Sequence, residues 1–467
     1  MRSPLAIATL VGGRVKRAPG TSLLLGAAVV LHLVLVVSIA RQPMEPSLAG
    51  AARPWIWPLH NDTVHRRGPA ADFFALYTAG RWVRKDRSPY TQEPMPEAPP
   101  SYAYRYLPVL ASTVGAPLSR LAPRTAWWGW IALLELLLAA SIAQLAWMSR
   151  RRVAVWSTLL LLLSSPYFLE LHMGQFTFAT CALAMLAAAW TEAGRSRASA
   201  LGAVVALAAA ALLKVFPLVT LPALAKSARG AVVGCLAVLV FVAAALPAFV
   251  LQPEDWESFR NANFAASAGG MNAGNYGLLQ LLHLLGARGG GWQADAWQQL
   301  ALLWQALLLS GTAGLVLVAR HSSLTLGAAT LLLAHFLSYV HVWEHHMSGA
   351  LLAVLAAAVV AEREGGGRPQ LLLLGAACLL ALPTPFGLFD HALDPRVWDP
   401  SVAWPLWQRM LLAASKALPL ALAFGTCLAL LLRRGIGAPR LLEPMGGRAS
   451  QEANSRVAAI DPPEGRG

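Results

Sequence analysis

The chain has 467 residues, of which 57% are hydrophobic and 13% charged, and its formal net charge is +14. Apolar blocks of membrane-spanning length make up most of it, which excludes an ordinary soluble globular protein and indicates a polytopic membrane protein. The basic residues stand at the ends of these blocks and not on one polar domain. The charge therefore follows the positive-inside rule and predicts no nucleic-acid partner.

Apolar blocks predict an all-α fold with about 12 transmembrane helices. They lie near 22–40, 126–148, 153–170, 176–192, 198–213, 215–225, 231–251, 299–319, 324–341, 346–361, 371–388 and 410–432. The first block is longer than the apolar core of a signal peptide, so we expect an uncleaved anchor. Charge bias then places both termini in the cytoplasm.

This topology divides the chain into three parts. We expect a cytoplasmic segment at 1–21, a transmembrane domain at 22–432 and a disordered cytoplasmic tail at 433–467. The domain carries two large outer loops, 41–125 and 252–298. The apolar stretch 106–121 contains two prolines. If it crossed the membrane, every later loop would change sides, so we expect a re-entrant or interfacial helix.

In the first outer loop, ADFFALYTAGRWV carries Asp72. Phe73, Leu76, Tyr77, Gly80 and Val83 recur at helical spacing, which predicts an amphipathic helix lying flat on the outer membrane surface. Asp72 falls in its first turn. A carboxylate there is either a helix N-cap or a functional group, and the local sequence leaves both readings open.

Three further polar stretches fall on the outer side of the predicted topology. LHMGQFTF places Gly174 and Gln175 between two crossings, and LLKVFP places Lys214 at the outer end of a short one. A turn residue and a lysine snorkelling to the interface are the alternatives. NAGNYGLLQLL supplies Asn275, which loop or cap residues would resemble equally.

SYVHVWEHHM places several histidines at the outer end of a further crossing. His341 and His345 are four residues apart and are expected to share a helix face, with Glu344 and His346 beside them. The order is not the HExxH of zinc proteases. Polar lining of an outer cavity is the preferred interpretation over a metal site, and no metal is predicted.

These motifs, in this order, resemble a known family. DFFALYTAG, SPY, YRYLP, a GQ turn, KxxP, an Asn before a Leu run, and a Trp followed by a His pair look like the polyprenyl-phosphate-mannose-dependent glycosyltransferases of family 87, in the membrane C-type superfamily. The resemblance runs from about Leu24 to Leu432. The family usually has Asn two residues after the GQ, where this chain has Thr177, and a double Pro where this chain has Leu107-Pro108.

The resemblance implies an inverting hexosyltransferase of the plasma membrane whose site faces outside. It would move mannose or another sugar from a polyprenyl-phosphate donor to a lipid or glycan acceptor, without a cofactor. Asp72 would be the general base, because an acceptor hydroxyl must lose a proton. The expected substrate-binding residues are Tyr77, Arg105, Tyr106, Gln175, Lys214, Asn275, His345 and His346.

The departing phosphate needs cations, for which the candidates are Arg81, Arg84, Lys85, Arg105 and the preferred Lys214. A transporter or flippase of lipid-linked sugars is the alternative function. Such proteins tend to hold ionisable groups at the bilayer midplane within repeated halves. This chain shows no obvious internal repeat. A non-catalytic scaffold would not explain why the polar residues gather on one side.

Overall fold

The computed structural model describes residues 19–44, 68–91, 93, 95, 98–194, 196–265, 275–287, 294–389 and 404–436. Their regular structure is helical throughout, which confirms the predicted all-α class. In chain order the α-helices are α1 (Pro19–Ala40), α2 (Ala71–Val83), α3 (Pro108–Leu118, with a π-helical centre), α4 (Pro123–Met148), α5 (Arg151–Leu162), α6 (Ser165–Met173), α7 (Thr177–Ala193), α8 (Arg197–Leu213), α9 (Leu221–Leu224), α10 (Ala228–Leu251), α11 (Pro253–Arg260), α12 (Leu278–Ala287), α13 (Ala294–Val318), α14 (Leu324–Ser338), α15 (His346–Arg363), α16 (Arg368–Ala381) and α17 (Leu406–Ile436).

Six of the helices in the described ranges are long and apolar enough to cross a bilayer, namely α1, α4, α10, α13, α15 and α17. The number becomes seven if α5 and α6, which meet at a 41° bend, form one span. The predicted total of about 12 is not confirmed. At 215–225 the chain forms a 3-10 helix, Phe216–Thr220, and then α9. Together they rise about 16 Å, roughly half the thickness of the hydrocarbon core.

The outermost parts of the predicted division are described only in part. Helix α1 begins at Pro19, inside the predicted cytoplasmic segment, and α17 continues to Ile436, a few residues into the predicted tail. The rest of the tail, and most of the segment 1–21, lie outside the described residues. The disorder expected of the tail therefore stays a prediction.

Helix α2, which carries Asp72, has a different setting from the predicted one. The helix itself is confirmed, but nine of its 13 residues are buried, on nearly every side. Its closest neighbour is α3: a Cβ added at Gly80 would lie 2.0 Å from the carbonyl carbon of Gly115. Two residues without side chains thus let the backbones touch. The prediction that α2 lies flat on the membrane surface is wrong, because the protein itself covers its apolar residues.

Turns predicted to be cytoplasmic meet at one end of the bundle. The Lys226 ammonium donates to the backbone oxygen of Ser322 at 2.7 Å, and the Arg229 guanidinium donates to that of Ser196 at 3.1 Å. At the other end, the backbone N–H of Ala70 donates to the oxygen of His172 at 2.6 Å. The polar loops are therefore separated into two groups, one at each end.

The core of the bundle is α15, in which every residue from His346 to Glu362 is buried. Its small side chains let other helices approach closely: a Cβ added at Gly349 would lie 2.5 Å from the sulfur of Cys181 on α7. Helices α7, α14 and α16 pack around it. This packing holds the loop that precedes α15 in a fixed place next to the α6–α7 turn.

Candidate active site

A cavity of about 1060 Å³ opens at the end of the bundle opposite to Lys226. Its wall is built from the start of α2, the segment 102–107, the α6–α7 turn, the end of α8, helix α11 and the loop between α14 and α15. This is at the upper end of the range for ligand pockets, roughly 300–1,000 Å³.

Asp72 lines this cavity from the first turn of α2. The N-cap position of α2 is Ala70, in the left-handed conformation with φ 59°, and no side chain caps the helix. Asp72 is half-buried, and its Oδ2 is enclosed with no hydrogen-bond partner among the described residues. Because Asp72 does not cap the helix, the first of the two readings that the sequence left open is not supported.

The carboxyl group of Asp72 has an altered acidity. Burial raises the pKa of Asp72 from 3.8 to about 6. The charge of Lys214, a hydrogen bond from the Gln175 side chain and the charge of Arg105 lower it, in that order of size, and do not cancel the effect of burial. A carboxyl group with a pKa near 6 is deprotonated at neutral pH yet more basic than a free Asp.

The turn between α6 and α7 brings Gln175 next to Asp72. Gly174 has φ 66° and ends α6, a conformation that suits glycine. A Cβ there would also lie 2.5 Å from the Cβ of Phe73, so the turn packs directly on α2. Gln175, only 7% exposed, then lines the cavity. The glycine is thus required both by the turn and by its close approach to α2.

Lys214 directly follows α8 and lines the same cavity. Its ammonium donates to Oε1 of Gln175 at 3.1 Å and to Oγ1 of Thr177 at 2.8 Å. A snorkelling lysine would extend its head group towards water. This one is instead bound to the α6–α7 turn, and Gln175 connects it to Asp72.

Glu170, on α6, is a fully buried carboxyl group that the sequence interpretation missed. It accepts hydrogen bonds from the backbone N–H of Phe178 at 2.7 Å and from the hydroxyl of Ser348 at 2.8 Å. Its negative charge acts on the Lys214 ammonium, as that of Asp72 does. An acidic residue inside an apolar block was the available signal.

Imidazoles and aromatic rings line another part of the cavity. The His345 and His346 rings lie 4.2 Å apart, and His335 stacks on Phe216 at 4.5 Å and near Tyr339 at 5.3 Å. Nδ1 of His346 accepts from the backbone N–H of Trp343 at 2.9 Å, which leaves Nε2–H as its donor. Both ring nitrogens of His345 are enclosed without a hydrogen-bond partner in the described structure.

The histidine motif is arranged differently from its prediction. His341 and His345 both line the cavity, but α15 begins only at His346 and the residues before it form a loop. The expectation of a shared helix face is therefore wrong, because the tight turn at Glu344 and His345 interrupts the helical spacing. Within the described residues, no group of three or more His, Cys, Asp or Glu could hold a metal ion.

Seven of the nine predicted site residues line the cavity: Asp72, Arg105, Tyr106, Gln175, Lys214, His345 and His346. Tyr77 and Asn275 do not. The Tyr77 hydroxyl donates to the oxygen of Leu121 at 2.8 Å. The side-chain oxygen of Asn275 accepts from the N–H of Val342 at 3.0 Å, which fixes the loop before α15. A role for either in substrate binding stays a prediction.

Of the five cations predicted to bind the phosphate, two line the cavity. Arg105 and Lys214 line the cavity, whereas Arg81, Arg84 and Lys85 do not. The Arg84 guanidinium donates to the backbone oxygen of Ser119 at 3.2 Å, and the Lys85 ammonium lies 5.5 Å from the centre of the Trp82 ring. Two cations therefore remain available to an anion inside the cavity.

The fold and this site define a polytopic helical membrane protein with an open cavity that is lined by both charged and apolar side chains. The chain belongs to glycosyltransferase family 87, whose model matches residues 106–385. It is therefore a membrane glycosyltransferase. The match includes Gln175, Lys214 and the histidines, and it begins after Asp72. No curated protein matches the chain.

Proposed function

We propose that the protein transfers a sugar, mannose or another hexose, from a polyprenyl-phosphate donor to a lipid or glycan acceptor on the outer face of the plasma membrane. Asp72 is the general base and the reaction inverts the anomeric configuration. The observation that carries the proposal is the chain of contacts from Asp72 through Gln175 to Lys214 in one cavity. Membership of a glycosyltransferase family favours transfer over transport of the lipid-linked sugar.

Asp72 and Lys214, at the two ends of this series of contacts, suit the two halves of the reaction. An acceptor hydroxyl attacks the anomeric carbon and loses its proton to Asp72, while the bond from that carbon to the phosphate oxygen breaks. The donor is a phosphodiester with one negative charge, and the leaving polyprenyl phosphate takes the bonding electron pair. Lys214 and Arg105 are the groups proposed to stabilise it.

The acidity of Asp72 supports its role as base. With a pKa of about 6, roughly ten Asp72 carboxylates are deprotonated for each protonated one at pH 7. Positioned base catalysis is most effective when the pKa of the base lies near the working pH. The Asp72 carboxyl group meets that condition, whereas an exposed Asp does not.

Purified protein in lipid nanodiscs tests the proposal. It is incubated with polyprenyl phosphates that carry mannose, glucose or a pentose, together with membrane lipid extract, and the products are analysed by mass spectrometry. We expect one lipid or glycan to gain the mass of one sugar, and the new linkage to have the configuration opposite to that of the donor. Surface glycans of cells without the gene should lack the same increment. In sealed proteoliposomes, movement of the intact donor across the bilayer without any product would favour the flippase.

A further inference from the structure

The Lys214 ammonium carries three N–H donors. In the described structure two of them are used, by Gln175 at 3.1 Å and by Thr177 at 2.8 Å. Both acceptors are uncharged, so neither neutralises the ammonium. The third donor remains for another partner in the cavity. We call the ammonium and its two acceptors, Gln175 and Thr177, the Lys214 site, and its remaining N–H is available to an anionic ligand.

Thr177 is part of the Lys214 site although it does not line the cavity. Its side chain is completely buried and it does not line the cavity. It is the first residue of α7, yet no side chain caps that helix, so its hydroxyl is not used as a cap. Among the described residues, the Thr177 hydroxyl makes one hydrogen bond, which it accepts from Lys214.

Glu170 fixes the backbone next to Thr177. One oxygen of Glu170 accepts from the backbone N–H of Phe178, the next residue of α7, at 2.7 Å, and the other binds Ser348 of α15 at 2.8 Å. The start of α7 is thus fixed to both α6 and α15. The negative charge of Glu170 also interacts with the Lys214 ammonium. The Lys214 site therefore has a rigid acceptor, and the Glu170 charge helps to keep the buried lysine in its ammonium form without taking its third N–H donor.

We propose that Thr177 is a positioning residue that sets the affinity for the phosphate of the lipid-linked donor by fixing where the Lys214 ammonium lies. The inference rests on the proposed function for the identity of the ligand. Without the Thr177 hydroxyl, only Gln175 holds the ammonium, and that side chain also serves Asp72. The ammonium then loses its fixed position, and the phosphate must supply the ordering energy when it binds.

Thr177→Val tests this inference, because valine keeps the shape and removes the acceptor. The probe is a short-chain polyprenyl phosphate without a sugar, and the neutral polyprenol of equal length is the reference. We expect the valine variant to bind the phosphate on the order of tenfold more weakly, the usual effect of one hydrogen bond to a charged group. Its affinity for the polyprenol should not change. Thr177→Ser, which restores the hydroxyl, should recover most of the affinity.

Thr180→Val is the matched control. Thr180 is also fully buried on α7, and its hydroxyl has no hydrogen-bond partner among the described residues. This variant should bind both lipids as the wild type does, and the melting temperatures of all variants in detergent show whether they are folded. In transfer assays, Thr177→Val should raise KM for the donor and leave KM for the acceptor unchanged.

Three results would overturn the inference. They are an unchanged phosphate affinity in Thr177→Val, an equal loss of affinity for the neutral lipid, and a failure of Thr177→Ser to restore binding. The binding measurements do not depend on turnover. A wild type that binds the phosphate but transfers no sugar would therefore contradict the proposed function and leave the role of Thr177 standing.

Discussion

The pH dependence of transfer is expected to follow the ionisation of Asp72. Burial raises the pKa of Asp72 to about 6. A general base works in its deprotonated form, so activity is gained as the pH rises through that value and lost as the pH falls through it. At pH 5 about one carboxyl in eleven is deprotonated. We therefore expect kcat/KM at pH 5 to be about tenfold lower than at pH 8.

The assay is initial-rate transfer in nanodiscs between pH 4.5 and 8.5. The ratio kcat/KM is used because it reports the ionisation of the free enzyme. Arg105→Gln provides a second measurement: the Arg105 charge lowers the pKa of Asp72, so its removal should move the midpoint of the profile to higher pH. A profile that is flat from pH 5 to 8, a midpoint near 4, or a shift to lower pH in Arg105→Gln would show that the ionisation of Asp72 does not set the pH dependence.

Three further predictions concern donor binding, topology and packing. Lys214→Met should weaken binding of the lipid-linked sugar by more than tenfold in a folded protein, because a charge-assisted contact in a low-dielectric cavity is lost; unchanged donor binding would favour snorkelling. In a cysteine-free background, Arg66→Cys should react with an impermeant maleimide in intact cells and Arg151→Cys should not. Labelling at 151 would contradict the predicted sides of the loops. Gly80→Ala should lower the melting temperature, since its Cβ would lie 2.0 Å from backbone atoms of α3, at a cost of about 1–3 kcal/mol, whereas Gly129→Ala meets nothing within 4 Å and should be neutral.

The helices were largely predictable from the sequence, because apolar blocks are set by composition and hydropathy. How many of them cross was not predictable in the same way. The 3-10 helix at Phe216–Thr220 follows from a local proline and from packing against α14, which a hydropathy pattern does not contain. The burial of α2 was missed for a similar reason: its covering comes from α3, through two distant glycines.

The site was predicted where polar residues interrupt apolar sequence. Gln175 and Lys214 line one cavity with Asp72, as their common side in the topology suggested. Asn275 came from a similar pattern, but its side chain binds the backbone of the loop before α15. A sequence pattern does not distinguish a residue that holds a loop from one that holds a ligand. Hydropathy does not reveal Glu170, because a single acidic residue at the end of an apolar block hardly changes the average, although a carboxylate there is costly unless it has partners.

Asp72→Asn shows whether Asp72 takes a proton from the acceptor. The amide keeps the shape of the side chain but cannot accept that proton, and losing a positioned base costs on the order of a hundredfold to ten-thousandfold in rate. Single-turnover transfer by the purified variant is compared with the wild type and with Asp86→Asn, a change at an exposed position just after α2. We expect Asp72→Asn to bind the lipid-phosphate sugar and transfer almost none of it, while Asp86→Asn remains active. Turnover by Asp72→Asn above about a tenth of the wild-type rate would show that Asp72 is not the general base.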